Sequence, residues 1–115
     1  MDKNEEKGFI YLVGDWEREN FFKIGVTKGT IDRRIKKLQT GNASEIFVCS
    51  YFQTSHPFLL EKELHLRYAS RRLNGEWFEL SPEEASAFKK TCEELEEMNE
   101  SLKSNYHFRK KYKLD

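Results

Sequence analysis

Two short stretches near the start of the chain, Phe9-Ile10-Tyr11 and Phe22-Lys23-Ile24-Gly25, decide how the rest is read. Both are rich in aromatic and β-branched residues, and the polar run Gly14-Asp15-Trp16-Glu17-Arg18-Glu19-Asn20 between them suits a hairpin with a longer loop. Strands are expected over residues 8–13 and 21–26, lying antiparallel side by side. Side chains two apart on a strand share a face. Tyr11 then goes with Phe9 and Val13, and Lys23 with Phe21 and Gly25, while Ile10, Leu12, Phe22, Ile24 and Val26 form the uniformly apolar set that belongs in a core. Tyr11 and Lys23 are then expected to be free to face a substrate.

Downstream, Thr30 is placed as an N-cap, and Ile31, Ile35 and Leu38 recur at helical spacing until Gly41-Asn42 supplies the stop. Residues 46–52, rich in strand formers, predict a third strand. Pro57 opens a helix expected to run to about Arg72, with Leu60, Leu64 and Tyr68 on its buried side. Leu73-Asn74-Gly75 turns the chain into a short extended segment, Glu76-Trp77-Phe78-Glu79-Leu80. Ser81-Pro82-Glu83-Glu84 combines an N-cap, a first-turn proline and the acid of a capping box, so a last helix should start there and reach about residue 106 or beyond. The order ββαβαβα predicts an α+β fold: a small mixed, mainly antiparallel sheet flanked by helices, with a long C-terminal helix.

The 115 residues suffice for one domain with one core. Residues 1–80 carry the sheet, and 81–115 read as a helical extension of the same domain. The net charge of zero argues against a protein that is basic throughout, but the charge is unevenly placed. Residues 21–40 carry six Lys or Arg against one Asp, 101–115 five against one, and 81–100 seven Glu against two Lys. Local basic patches follow. Cys49 and Cys92 form no CxxC pair and read as reduced core or interface thiols. The polar start, Met1 to Lys7, lacks the apolar run of a signal peptide, and no stretch is apolar enough to span a bilayer, so a cytoplasmic protein is expected.

On the basic helix, a step of about 100° per residue puts Arg34 beside the Ile31, Ile35 and Leu38 stripe and sends Arg33 to the opposite side. In the next helix Glu61, His65, Tyr68 and Arg72 fall along one face.

Taken together these residues resemble the GIY-YIG superfamily of nucleases, in the branch found in phages, large DNA viruses and their hosts. The parts are Phe9-Ile10-Tyr11, Phe22-Lys23-Ile24-Gly25, the basic run from Arg34 to Asn42, Glu61 with Leu64-His65, and Gly75-Glu76-Trp77-Phe78. Five motifs in order, from Gly8 to Leu80, are far more specific than any one. The glycine of the first motif is here Phe9, and the first tyrosine of the second is Lys23, which resembles this branch's own pattern and carries no tyrosine role. The resemblance implies hydrolysis of a phosphodiester, with DNA favoured over RNA, and a catalytic set of Tyr11, Lys23, Arg34, Glu61 and His65. Tyr11 would act as general base or orient the water, Lys23 and Arg34 would favour its ionised form, and Arg34 would also take up charge on the phosphoryl oxygens. Glu61 would hold Mg2+ or Mn2+ as the sole protein carboxylate, and His65 would relay a proton or contact phosphate. Glu76 is a weaker candidate, its motif being as well suited to a structural part. Lys28, Arg33, Lys36, Lys37, Arg71 and Arg72 are the candidate phosphate contacts.

Each of these side chains has an ordinary reading when taken alone. Tyr11 reads as a half-buried strand aromatic, Lys23 as a solvated strand charge, Glu61 with His65 as a surface helical pair, and Trp77 and Phe78 as core. In the last helix Phe88, Cys92, Leu95, Asn99, Leu102 and Tyr106 step by four and three as in a heptad seam, with Asn99 at an a position, so residues 82–106 are a candidate homodimer interface. The alternative is that this stripe packs on its own domain or on a partner, leaving His107 to Lys113 as a basic tail. Two further readings compete with an enzyme: a non-catalytic nucleic-acid-binding module of the same fold, and an adaptor acting through the last helix.

Overall fold

A computed structural model describes residues 7–112, with side chains through Leu102. The opening hairpin is longer than expected. Strands β1 (Gly8–Asp15) and β2 (Arg18–Thr27) pair antiparallel, leaving Trp16 and Glu17 as the turn. Strand β3 (Ile46–Thr54) pairs with the other edge of β1, and two three-residue strands, β4 (Arg72–Asn74) and β5 (Trp77–Glu79), extend the sheet beyond β2. The order is β3-β1-β2-β5-β4, and each neighbouring pair is antiparallel.

The alternation of side chains along β1 and β2 builds two separate cores. Ile10, Leu12 and Ile24 are fully buried on one face with Leu60 and Leu64 of α2 (Pro57–Arg67), Phe78, Leu80, and Phe88 and Cys92 of α4 (Phe88–Tyr112). On the other face Tyr11, Val13 and Ile46 are covered by Ile31, Ile35 and Leu38 of α1 (Ile31–Thr40). Thr30 caps α1 as expected, its hydroxyl accepting from the Arg33 N–H at 3.2 Å. Gln39 and Asp15 then fasten the far end of α1. The Gln39 amide donates to Ser44 O and accepts from the Ile46 N–H, both at 2.9 Å. Asp15 accepts from Ser44 Oγ at 2.6 Å, Asn42 Nδ2 at 3.2 Å and the Glu17 N–H at 2.8 Å. Burial pushes this carboxyl up, but these bonds outweigh it and hold it below its usual value.

Two helices depart from expectation. Helix α2 ends at Arg67, because Tyr68 turns into the core and the chain passes through a 3-10 turn (Ala69–Arg71) into β4. The segment after Ser81 is two helices, α3 (Pro82–Ser86) and α4. The capping box is present, with Ser81 and Glu84 each bonding the other's backbone N–H. The chain then breaks at Ala87, which lets both Ala85 and Phe88 face the core. Helix α4 lies against its own domain: Thr54 Oγ bonds Glu96, and Asn99 donates to Glu63 of α2 at 2.6 Å. The expected seam is therefore occupied within the chain at Phe88, Cys92 and Asn99. Tyr106 and the basic stretch 107–113 lie outside the described side chains, and residues 1–6 outside the described chain. No helix among the described residues is long and apolar enough to cross a membrane.

Candidate active site

Helix α1 covers the β1 and β3 side of its face and leaves the β2 and β5 side open as a cleft of about 310 Å³, lined by Val13, Lys23, Arg34, Lys37, Leu38 and Trp77 among others. Tyr11 lies under the rim of this cleft, fully covered. Its ring crosses Gly25 so closely that a Cβ on Gly25 would stand 2.2 Å from the hydroxyl oxygen. Arg34, reaching back from α1, donates from Nε to that oxygen at 3.3 Å.

Lys23 stands two positions along β2 from Gly25, between Val13 and Trp77. Its ammonium is 3.4 Å from a Glu76 carboxylate oxygen and 5.6 Å from the centre of the Trp77 ring. Trp77 stacks on Phe21 at 4.4 Å, and Arg18 lies over the other side of Phe21 at 4.8 Å. Trp77, expected in the core, instead forms one wall of the cleft; Phe78 is buried as expected.

Strand β5 pairs with Phe21 to Lys23, so the Ile24 carbonyl lies just beyond the ladder. There the Ile24 N–H donates to Glu76 O at 3.1 Å, and the Ile24 carbonyl meets His65 Nε2 at 3.0 Å. A carbonyl only accepts, so Nε2 is the donor in this contact. Glu61 sits one helical turn before His65. Each of Glu61, His65 and Glu76 offers one ligand atom, and the three atoms lie within 4.8 Å of one another. Two carboxylates and an imidazole are a donor set that fits a divalent cation.

The electrostatics tie these groups together. Burial, then the neighbouring Glu76 charge, pushes the Glu61 carboxyl above its usual value, against the pull of His65, Arg34 and Lys23. Burial also raises the Tyr11 phenol, and the Arg34 hydrogen bond only partly offsets this, so the phenol is protonated at neutral pH. The same bond to Tyr11 raises Arg34 above its ordinary value, helped by Glu76 and Glu61.

Thus Tyr11, Lys23, Arg34, Glu61 and His65, from four elements, meet in one region. The expected α2 row stops at His65, since Tyr68 is buried and Arg72 belongs to β4. Among the candidate phosphate contacts, Lys37 lines the cleft. Arg33 and Lys36 are exposed on the outer side of α1, and Lys28 lies 5.3 Å from the Phe58 ring. Arg71 pairs with Glu84 at 3.1 Å and Arg72 bonds Gly75 O at 2.7 Å, so both serve the turn around β4. Glu76 is the residue that sequence reasoning undervalued. Its place beside Lys23 follows from the pairing of β5 with β2.

Fold and site together define a small α+β domain with a cationic cleft beside a carboxylate and imidazole cluster. The chain belongs to the T5orf172 domain family, whose profile matches residues 8–93. That domain is associated with nuclease-like and DNA-binding functions. The match passes Leu80, where the motif resemblance ends, and takes in the start of α4. The chain is also similar to "Uncharacterized protein 460R" of Invertebrate iridescent virus 6, 36% identical over 78 residues. The aligned stretch is 64% of this chain and 35% of the viral protein, so the chain spans about a third of that relative. No solved structure gives a significant match.

Proposed function

We propose that this domain is a GIY-YIG-type endonuclease that hydrolyses phosphodiester bonds of nucleic acid, DNA in the first instance, with Mg2+ or Mn2+. The observation that carries this reading is the Arg34 to Tyr11 hydrogen bond beside the three-atom cluster of Glu61, His65 and Glu76. A bound divalent cation would act as a Lewis acid on a phosphoryl oxygen and favour ionisation of nearby water. Glu61 holds it.

The rest falls to the chain's own groups. Arg34 and Lys37 offer the cleft's positive charge to a phosphate, and the planar guanidinium of Arg34 matches two phosphoryl oxygens. Arg34 also lies against Tyr11, so a phosphate that draws the guanidinium outward uncovers the phenol. Tyr11 then orients the attacking water through its hydroxyl; to act as a base it must first release its own proton to solvent, which needs cationic charge close by, since burial alone opposes the phenolate. His65, bonded to the Ile24 carbonyl, is held as a ligand or phosphate contact. Pairing of two copies, expected over residues 82–106, would fall to the seam position that α4 leaves exposed, Leu102.

The test is a nicking assay on plasmid and single-stranded DNA, with and without Mg2+ or Mn2+, with Glu61→Ala beside the natural protein. Metal-dependent cutting that the variant loses while still binding DNA is the expected result. Binding with no cutting under either metal would establish the non-catalytic module instead.

A further inference from the structure

Glu76 has two neighbours that want its charge. One is Lys23, at 3.4 Å. The other is the cation position beside Glu61 and His65, which rests on the functional reading above. The three ligand atoms lie within 4.8 Å of one another, and those around a six-coordinate cation with bonds of 2.0–2.1 Å stand about 3–4 Å apart, so a small side-chain movement is enough to gather them. Glu61 and His65 project from α2, and His65 is tethered to Ile24. Glu76 is the movable member. Its backbone is pinned by the Ile24 N–H just after Gly75, whose φ of +55° makes the turn, but its side chain is 39% exposed.

We propose that Glu76 is an exchangeable ligand: its carboxylate pairs with Lys23 in the cation-free protein and turns to the cation when one binds, freeing the Lys23 ammonium for a substrate phosphate. Lys23 stays in place through Trp77, whose ring lies 5.6 Å from the ammonium and is itself stacked on Phe21. Cation binding and phosphate capture are then coupled through one carboxylate, and neither leaves a buried charge unpaired.

Calorimetric titration of the full chain with MnCl2 tests this. Glu76→Gln should weaken Mn2+ binding at least about tenfold, the scale on which a metal site's supporting groups act. Lys23→Met should tighten it, a gain that misfolding cannot produce. The gain should shrink in the Lys23→Met, Glu76→Gln double variant, because simple repulsion between Lys23 and the cation would persist there unchanged. Unaltered Mn2+ affinity in Glu76→Gln, or a Lys23→Met gain of equal size in both backgrounds, overturns the exchange. If Glu61→Gln alone abolishes Mn2+ binding and cutting while the Glu76 and Lys23 variants bind as the natural protein does, the nuclease reading stands and this inference falls.

Discussion

At the scale of single residues, the site depends on contacts that leave no room for substitution. Gly25 is the clearest case, since any side chain there collides with the Tyr11 phenol. Gly25→Ala should displace Tyr11 from Arg34, lower stability by about 1–3 kcal/mol as overpacking does, and abolish cutting. A thermal melt and the nicking assay check both effects. Glu61 carries a linked pH prediction. Its carboxyl is raised in the folded state, so cation affinity should begin to fall with decreasing pH already above the ordinary value of 4.5. Mn2+ titrations stepped downward from neutral pH measure this; an affinity that holds until well below 4.5 would contradict it. The folded protein also binds that proton more tightly than the unfolded chain, so the ionised group costs stability above its folded value. Glu61→Gln should therefore raise the melting temperature at neutral pH while losing the cation, the trade expected where function opposes stability. Asp15 has the opposite sign. Its contribution is full above about pH 4, the unfolded value, and is lost as pH falls through the lower folded value.

Among the elements, the strands other than β4 and helix α1 could be read from sequence because local signals agreed with what tertiary structure required. Alternation in residues 8–13 and 21–26 placed Tyr11 and Lys23 on the face away from Ile10, Leu12 and Ile24, and that is their arrangement. Thr30 and Gly41 bounded α1 because caps act locally. The end of α2 was not legible. Residues 69–72 include good helix formers, but burying Tyr68 and pairing β4 with β5 outweigh their propensity. The break at Ala87 carries neither Gly nor Pro, and follows from facing Ala85 and Phe88 into one core. The meeting of Glu76 with Lys23 and Glu61 needed the register between β2 and β5, which no spacing in the chain reveals. Helix α4 yields a prediction at this level. Asn99→Ala removes its bond to Glu63 and should cost about 0.5–1.5 kcal/mol, whereas Phe88→Ala, in the middle of the core, should cost about 3–5 kcal/mol. Denaturant titration separates the two.

For the molecule as a whole, zero net charge conceals a division of labour. The cleft gathers Lys23, Arg34 and Lys37, while the glutamates of residues 81–100 belong to α3 and α4, which pack toward the opposite face of the sheet. Three cleft cations predict a salt dependence of duplex binding with a log-log slope of about −3, shallow for a protein that grips DNA along its length. Fluorescence anisotropy over a series of salt concentrations measures it, and a slope near zero would favour the protein-interaction reading. The two thiols report on integrity of the fold. Cys49 is exposed, whereas Cys92 is buried and its thiol is pushed up to about 12, so a chromogenic disulfide should titrate one thiol in the native protein and two after unfolding.

The brevity of β5 has a consequence for how such a site can be lost. Because that strand begins only at Trp77, the Ile24 carbonyl is left outside the ladder, and the vacancy is what admits the imidazole from the neighbouring helix. Continuing the ladder by even one more pair would seal the opening with ordinary main-chain bonds. The fold would keep its shape, and the chemistry would have nowhere to stand.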